Sequence, residues 1–279
     1  AQKRIMTGDK SLILPLISYY GTGRLYAQKK EKKNIKSLTE FKRQVGYVDC
    51  MAAESNEKLM LNWFQIQTLK SLQEQQRTGK VEKSLLLKTV EKAICKCFER
   101  ISGSKNASII FDLDTHRLVL NFESADGSLQ KFAMDEMSDG YKNTLSMIGD
   151  IAYRMAVLNP MLGDKVLEET SGVIVIDEID LHLHPQWQQT IISDLNTIFP
   201  KIQFIVSSHA PAVINSVAKE QIRILDNGEI YMPAAQTYGR DANSILREVM
   251  NVSERPMDIK QRMNLFYSYM DENNYKEAD

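Results

Sequence analysis

Residues 172–189 read GVIVIDEIDLHLHPQWQQ, and the fold is decided there. Val173, Ile174, Val175 and Ile176 form an unbroken β-branched run, the composition of a strand buried on both faces of a parallel sheet. Pro185 suits the first turn of a helix, where its missing N–H costs nothing. Trp187, Ile191, Leu195 and Ile198 then share one face of that helix, and Pro200 closes it. Residues 202–206 (IQFIV) make a second strand. Strand, helix, strand is a βαβ unit with a right-handed crossover. Its two strands run the same way, so their carboxyl ends share one edge of the sheet, about 4.8 Å apart if they are neighbours. Asp177-Glu178 ends the first strand and Ser208-His209 follows the second. Two carboxylates and an imidazole are thus expected at the rim where open α/β sheets hold their ligands.

Working outward, residues 107–132 alternate, with Leu118, Leu120 and Phe122 against Asn121 and Glu123, and Asp126-Gly127 supplies a turn. This pattern predicts a β-hairpin. A helix is expected from Tyr141, with Leu145, Ile148, Ala152 and Met155 on one face and a stop at Asn159-Pro160. Upstream, residues 38–100 are helical in pattern. Leu59, Trp63, Ile66 and Leu69 form one stripe, Leu86, Val90, Ile94 and Phe98 another, and Gly79 marks the bend of a helical hairpin. Residues 11–20 read as a buried strand followed by a Gly21-Thr22-Gly23 turn, and the lysine-rich stretch 29–36 as an exposed loop. The tail, 241–279, is charged and helical, with Ile259, Met263, Phe266 and Met270 spaced for one face, expected to be buried on its own domain or on a partner.

Composition narrows the class. The 279 residues are 43% hydrophobic and 25% charged with a net charge of −1, which argues against a protein that coats nucleic acid generally. No apolar run reaches the roughly 20 residues that span a bilayer, and no charged-then-apolar leader opens the chain. Cys50, Cys95 and Cys97 show no paired metal spacing and fit reduced thiols, so a cytoplasmic location is expected.

Chemistry gives the rim residues roles. Phosphoryl transfer needs a divalent cation held by hard oxygen ligands, which suits Asp177 to Mg²⁺. Glu178 is placed to polarise an attacking water, and His209 to hydrogen-bond a γ-phosphate. Solvated strand-end acids are the plainer alternative, but four apolar residues running straight into Asp-Glu weigh against it. Met137-Ser138-Asp139-Gly140-Tyr141 opens a helix, whose N-terminus attracts phosphate through free N–H groups and the dipole. Taken alone, an ordinary Ser or Asp cap explains that stretch equally well. His182 and His184 could share a face, yet no further ligand completes a metal site, and a loop capping a helix accounts for them. A nucleophilic Ser207 or Ser208 would need a strained elbow motif that is absent. The Lys29–Lys36 run with Arg43 reads as a solvated loop before a nucleic-acid contact.

At this point a resemblance becomes specific. The ordered stretches SDGYKNTLSMIGDIAYRMAVLNP (138–160), GVIVIDEIDLHLHPQWQQ (172–189) and FPKIQFIVSSHAP (199–211) closely resemble ABC-type ATPases of the SMC/RecF-like group. Among these the chain looks most similar to stand-alone bacterial proteins called predicted virulence-associated ATPases, and to the ATPases of Septu-type and retron-associated anti-phage systems. LPLISYYGTGRL (14–25) and YGRDANSILREVMNVSERP (238–256) resemble that subgroup too, whereas the helical segment before Ala107 matches only loosely. The resemblance implies an α/β fold, a P-loop NTPase of the ABC ATPase head type, with a mainly parallel sheet flanked by helices, a helical insertion and a β-hairpin. It implies that Ser138, Asp139 and Gly140 are the signature motif contacting the γ-phosphate bound by the other protomer. Asp177 would be the Walker B magnesium ligand, Glu178 the base, Asp180 a D-loop residue and His209 the switch histidine. SDG stands where transporters have SGG.

One departure matters. No G-x-x-x-x-G-K-[ST] loop occurs in these residues, and Gly21-Thr22-Gly23-Arg24 has neither its spacing nor its lysine. In the resembled family that loop lies upstream, so the chain is expected to be incomplete at the N-terminus and, alone, to bind ATP poorly. The expected organisation is a remnant of an N-terminal ATPase lobe at 1–36 and a helical lobe at 37–106. The signature, Walker B and switch part would follow at 107–235, and a helical tail at 236–279. The intact protein is expected to use ATP and Mg²⁺ at two composite sites of a head-to-tail homodimer, with a nuclease partner and DNA as candidate associates. A RecF-like DNA-repair ATPase and a non-hydrolysing dimerisation scaffold are the alternatives.

Overall fold

A computed structural model of the protein describes residues 11–25, 43–52, 57–79, 83–124 and 126–271. The lysine-rich stretch 29–36 and the last eight residues of the tail lie outside them. Two units are distinguished, residues 1–209 and 210–279.

In the first unit the chain runs through β1 (Leu16–Tyr20), α1 (Glu57–Thr78), α2 (Leu85–Ser102), β2 (Lys105–Asp112), β3 (Arg117–Glu123), β4 (Leu129–Ala133), α3 (Asp139–Leu158), α4 (Val166–Glu169), β5 (Gly172–Ile176), α5 (Pro185–Gln188), α6 (Ile191–Ile198) and β6 (Ile202–Val206). Strands β1, β5 and β6 form one parallel sheet in that order, with β5 in the middle. The register sets Tyr20 beside Ile176 and Ile176 beside Val206, so all three strands end on one edge. A three-stranded antiparallel meander, β2-β3-β4, makes a second sheet. The alternation along 107–132 predicts only one hairpin here. The turn at Asp126-Gly127 does join β3 to β4, but a further turn after Asp112 adds β2.

Helix α3 is the centre of this unit. Every residue from Met147 to Leu158 is buried, Asp150 and Arg154 included, because β1 packs on one side and the α1–α2 pair on the others. Gly79 ends α1 at φ +72°, a left-handed conformation that glycine adopts without strain. Helix α2 begins at Leu85, and the Ser84 hydroxyl that caps it donates to Gln67 of α1 at 3.2 Å. Met60, Trp63 and Phe64 of α1 are buried, but Leu69 and Leu72 stand in the open, so only the first half of its stripe is core.

Two expectations are corrected here. The sheet is buried on one face only: Leu16, Ser18, Tyr20, Ile174 and Ile176 are covered, while Ile17 and Ile205 are about half exposed and Val173 and Val175 are partly so. The packing of α3 lies on the covered face, and among the described residues nothing seals the other. The helix expected from Pro185 to Pro200 is broken at Gln189-Thr190 into α5 and α6. The break takes Trp187 off the buried Ile191–Leu195–Ile198 stripe and turns its ring toward α3.

The second unit contains α7 (Pro211–Ile214), β7 (Ile224–Asp226), β8 (Glu229–Tyr231), α8 (Ala242–Glu248) and α9 (Met257–Asp271). Asn227 and Gly228, both at positive φ, make the tight turn of the β7–β8 hairpin. Asp241 caps α8 through the Ser244 N–H. The stripe of α9 is not covered: none of its residues is buried, and Ile259, Phe266 and Met270 are exposed. No helix among the described residues is long and apolar enough to cross a membrane.

Candidate functional site

The common edge of β1, β5 and β6 carries the acidic pair. The ladder continues one residue past the strands on both sides of β5. Asp177 donates its N–H to the Tyr20 carbonyl at 2.8 Å, and Ser207 donates its N–H to the Ile176 carbonyl at 3.0 Å. Two residues beyond Asp177, Ile179 donates its N–H to the Ser207 carbonyl at 3.0 Å and buries its side chain. Between these fixed points Glu178 is forced to φ +47°, a left-handed conformation that L side chains adopt at a cost of about 1–2 kcal/mol. Both acids are half-buried.

Ser207 holds them together. Its hydroxyl donates to Asp177 Oδ1 at 2.5 Å and accepts the Glu178 N–H at 2.8 Å. The next hydroxyl, on Ser208, donates to Asp180 Oδ1. Each of the two serines that leave β6 therefore orients one part of the loop that leaves β5. His209 follows directly and is exposed. Asp177, Glu178 and Asp180 are thereby tied to the residues that leave β6, with His209 next in the chain. The sequence reading did not assign Ser207 or Ser208 a part in this site. The signal was present in the SSH triplet, whose polar residues at a strand's carboxyl end have to meet something.

The loop after Asp180 turns twice, with Leu181 N–H to Glu178 O and Leu183 N–H to Asp180 O, both at 3.0 Å. His182 has φ +63°, Leu183 is buried, and His184 caps α5 by accepting the Gln186 N–H on Nδ1. Among the described residues no cluster of three His, Cys, Asp or Glu side chains is arranged to hold a metal ion.

Ser138, Asp139 and Gly140 open α3, with Ser138 as the cap residue. Ser138 makes no side-chain cap hydrogen bond, so its hydroxyl is not spent on the helix, and both it and Asp139 are exposed. Gly140 is buried against the Asp180 loop: a β-carbon there would lie 2.6 Å from the His182 carbonyl oxygen and 3.2 Å from the Trp187 ring. Beside it the rings of Tyr141 and Trp187 meet edge to face, 4.3 Å between centroids. Burial pushes the Tyr141 phenol above its ordinary pKa. The helix start thus rests on the far end of the same loop that carries the acids.

The family described as "AAA domain, putative AbiEii toxin, Type IV TA system" matches residues 23–215, well over half of the chain. The chain belongs to this family. Its fold is that of a P-loop NTPase, with the parallel β1-β5-β6 sheet flanked by helices. "Retron Vc95 probable ATPase" of Vibrio cholerae serotype O1 biovar El Tor is 41% identical over 125 residues, covering 43% of this chain and 24% of that protein. "Septu protein PtuA" of Bacillus thuringiensis is 28% identical over 201 residues, 67% of this chain and 49% of that one. The chain thus spans about a quarter of the length of the first of these relatives and about half of the second. A solved structure concerned with ATP-driven dimerization and DNA-stimulated activation of SMC ATPases aligns with 58% of this chain and 92% of that chain, at 15% identity and a TM-score of 0.37.

Proposed function

We propose that these residues are the signature, acidic and switch part of a Mg²⁺-dependent ATPase that works as a head-to-tail homodimer in anti-phage defence. The observation that carries the reading is Ser207, whose single hydroxyl ties the Asp177 carboxylate to the Glu178 backbone across two parallel strands. Solvated strand-end acids have no use for such a clamp.

A magnesium ion keeps several waters and takes one or two carboxylates together with substrate phosphates. Asp177 fits that demand: it is a hard oxygen donor at the rim, and its Oδ1 is oriented by Ser207. When bound there, the ion would neutralise charge on the β- and γ-phosphates. Glu178 would take a proton from the attacking water as its oxygen bonds to the γ-phosphorus and the bond to the ADP oxygen breaks. His209 would donate a hydrogen bond to a γ-phosphate oxygen. Ser138, with its uncommitted hydroxyl, and the N–H groups of Asp139 and Gly140 would meet the γ-phosphate held by the other copy. Asp180 would face the dimer interface from a loop pinned by Ser208. Because signature and acids of one chain serve different nucleotides, binding would close the dimer. The names of the retron and Septu relatives support a role in phage defence, with closure passed to a nuclease partner acting on DNA, in the cytoplasm.

The phosphate-binding loop is not among these 279 residues, so hydrolysis is to be measured on a polypeptide that supplies it together with them. There Glu178→Gln is expected to lower kcat by about 100-fold or more, the usual worth of a general base, while ATP-dependent dimerisation persists. Unchanged turnover would remove Glu178 from the mechanism. Absence of any turnover in the parent, with dimerisation intact, would favour a scaffold.

A further inference from the structure

Beneath the rim lies a charged cluster that the proposed chemistry does not use. Tyr20, Asp150 and Arg154 are all buried. The Tyr20 hydroxyl donates to Asp150 Oδ2 at 2.8 Å, and Arg154 Nε donates to the same oxygen at 2.7 Å. Arg154 Nη1 also donates to the carbonyls of Gly46 and Val48, at 3.0 and 2.9 Å. Asp150 Oδ1 and the hydroxyl of neighbouring Tyr153 are buried without a hydrogen-bond partner. Burying an ion pair that leaves a carboxylate oxygen unmatched is an expensive way to hold a helix, since apolar side chains of similar volume serve stability as well or better. What such a cluster supplies is a defined geometry.

Its placement shows what the geometry serves. Tyr20 is the last residue of β1, and its carbonyl accepts the Asp177 N–H at 2.8 Å. Asp150 lies on α3, whose first residues are Asp139 and Gly140. One residue therefore grips the signature helix with its side chain and the magnesium-ligand candidate with its backbone. Burial, then the negative charge of Asp150, push the Tyr20 phenol well above its ordinary range. For Arg154, burial acts to lower the pKa and Asp150 outweighs it. Tyr20 and Arg154 thus both keep their protons, and their donor roles, near neutral pH.

We propose that Tyr20 is a positioning residue for Asp177: anchored by Asp150 and Arg154, it makes helix α3 and the acidic rim of one chain move as a unit. This rests on the ATPase reading for its function but not for its geometry.

The test compares Tyr20→Phe with Tyr153→Phe. Each removes one buried phenol oxygen next to Asp150, and only the first cuts the link. Hydrogen exchange at the Asp177 amide, which needs no nucleotide, should quicken about fivefold in Tyr20→Phe, the worth of one hydrogen bond, and stay as in the parent in Tyr153→Phe. In the polypeptide that also supplies the phosphate-binding loop, Tyr20→Phe should raise the Mg²⁺ concentration for half-maximal hydrolysis about threefold or more, one hydrogen bond's worth again. Nucleotide affinity without Mg²⁺ should be retained. Equal exchange at Asp177 in the two variants would overturn the proposal, as would a lowered melting temperature in Tyr20→Phe with Asp177 exchange and Mg²⁺ dependence both unmoved. Should Glu178→Gln fail to slow turnover, the ATPase reading would fall while the exchange comparison still decided the link.

Discussion

A methyl group added at position 140 would need space already held by the His182 carbonyl, 2.6 Å away. That neighbour is backbone, and it belongs to a loop pinned at Ile179 and Leu183, so it yields only by moving the loop. Gly140→Ala is therefore expected to destabilise the protein by about 1–3 kcal/mol, the range for overpacking, and to speed amide exchange at residues 179–184. An unshifted melting temperature with unchanged exchange would show that the contact is loose. If Gly140 meets phosphate as proposed, a loss of hydrolysis in Gly140→Ala would report two injuries, one to that contact and one to the Asp180 loop of the same chain. At this scale the sequence shows the acids, because only charge at the end of an apolar strand is conspicuous. It does not show Ser207, whose importance lies in reaching residues thirty positions away.

Among the elements, the end of α3 is tied to the residues leading into β1 by a buried amide, in addition to the Tyr20–Asp150 bond further along. Asn159, fully buried at the end of α3, accepts the Leu14 N–H at 2.7 Å and donates to the Leu14 carbonyl at 2.9 Å. Its side chain thus imitates a ladder residue and extends the pairing of β1. It also donates to Thr170 at 3.1 Å. Asn159→Ala should leave both Leu14 backbone groups unmatched and cost at least about 2 kcal/mol, read as a lowered denaturation midpoint. A loss below about 0.5 kcal/mol would mean that other groups take over the pairing. Element types were legible from periodicity: β5, β6, α2 and α3 fall where their apolar spacing puts them. Three features were hidden. The break at Gln189-Thr190 has no proline or glycine to mark it. The strand β2 lacks a clean alternation, and the one-sided burial of the parallel sheet cannot be read from a run of valines and isoleucines.

For the molecule as a whole, the fold class followed from one βαβ unit, and the rim residues followed from its parallel direction. What the sequence could not supply was the second use of each part. Tyr20 reads as strand core and also holds a charged cluster; Gly140 reads as a phosphate contact and also seats a loop. Such double duty leaves no pattern along the chain. The bent backbone at Glu178 carries one last consequence. Its left-handed twist suits glycine far better than a carboxylate-bearing side chain, and glutamine inherits the whole penalty. Glu178→Gly should therefore melt a few degrees above Glu178→Gln, after the looser unfolded chain has taken back part of the relief. Heat resistance alone would in that case rank two variants that both lack the proposed base, and durability would be a poor guide to competence.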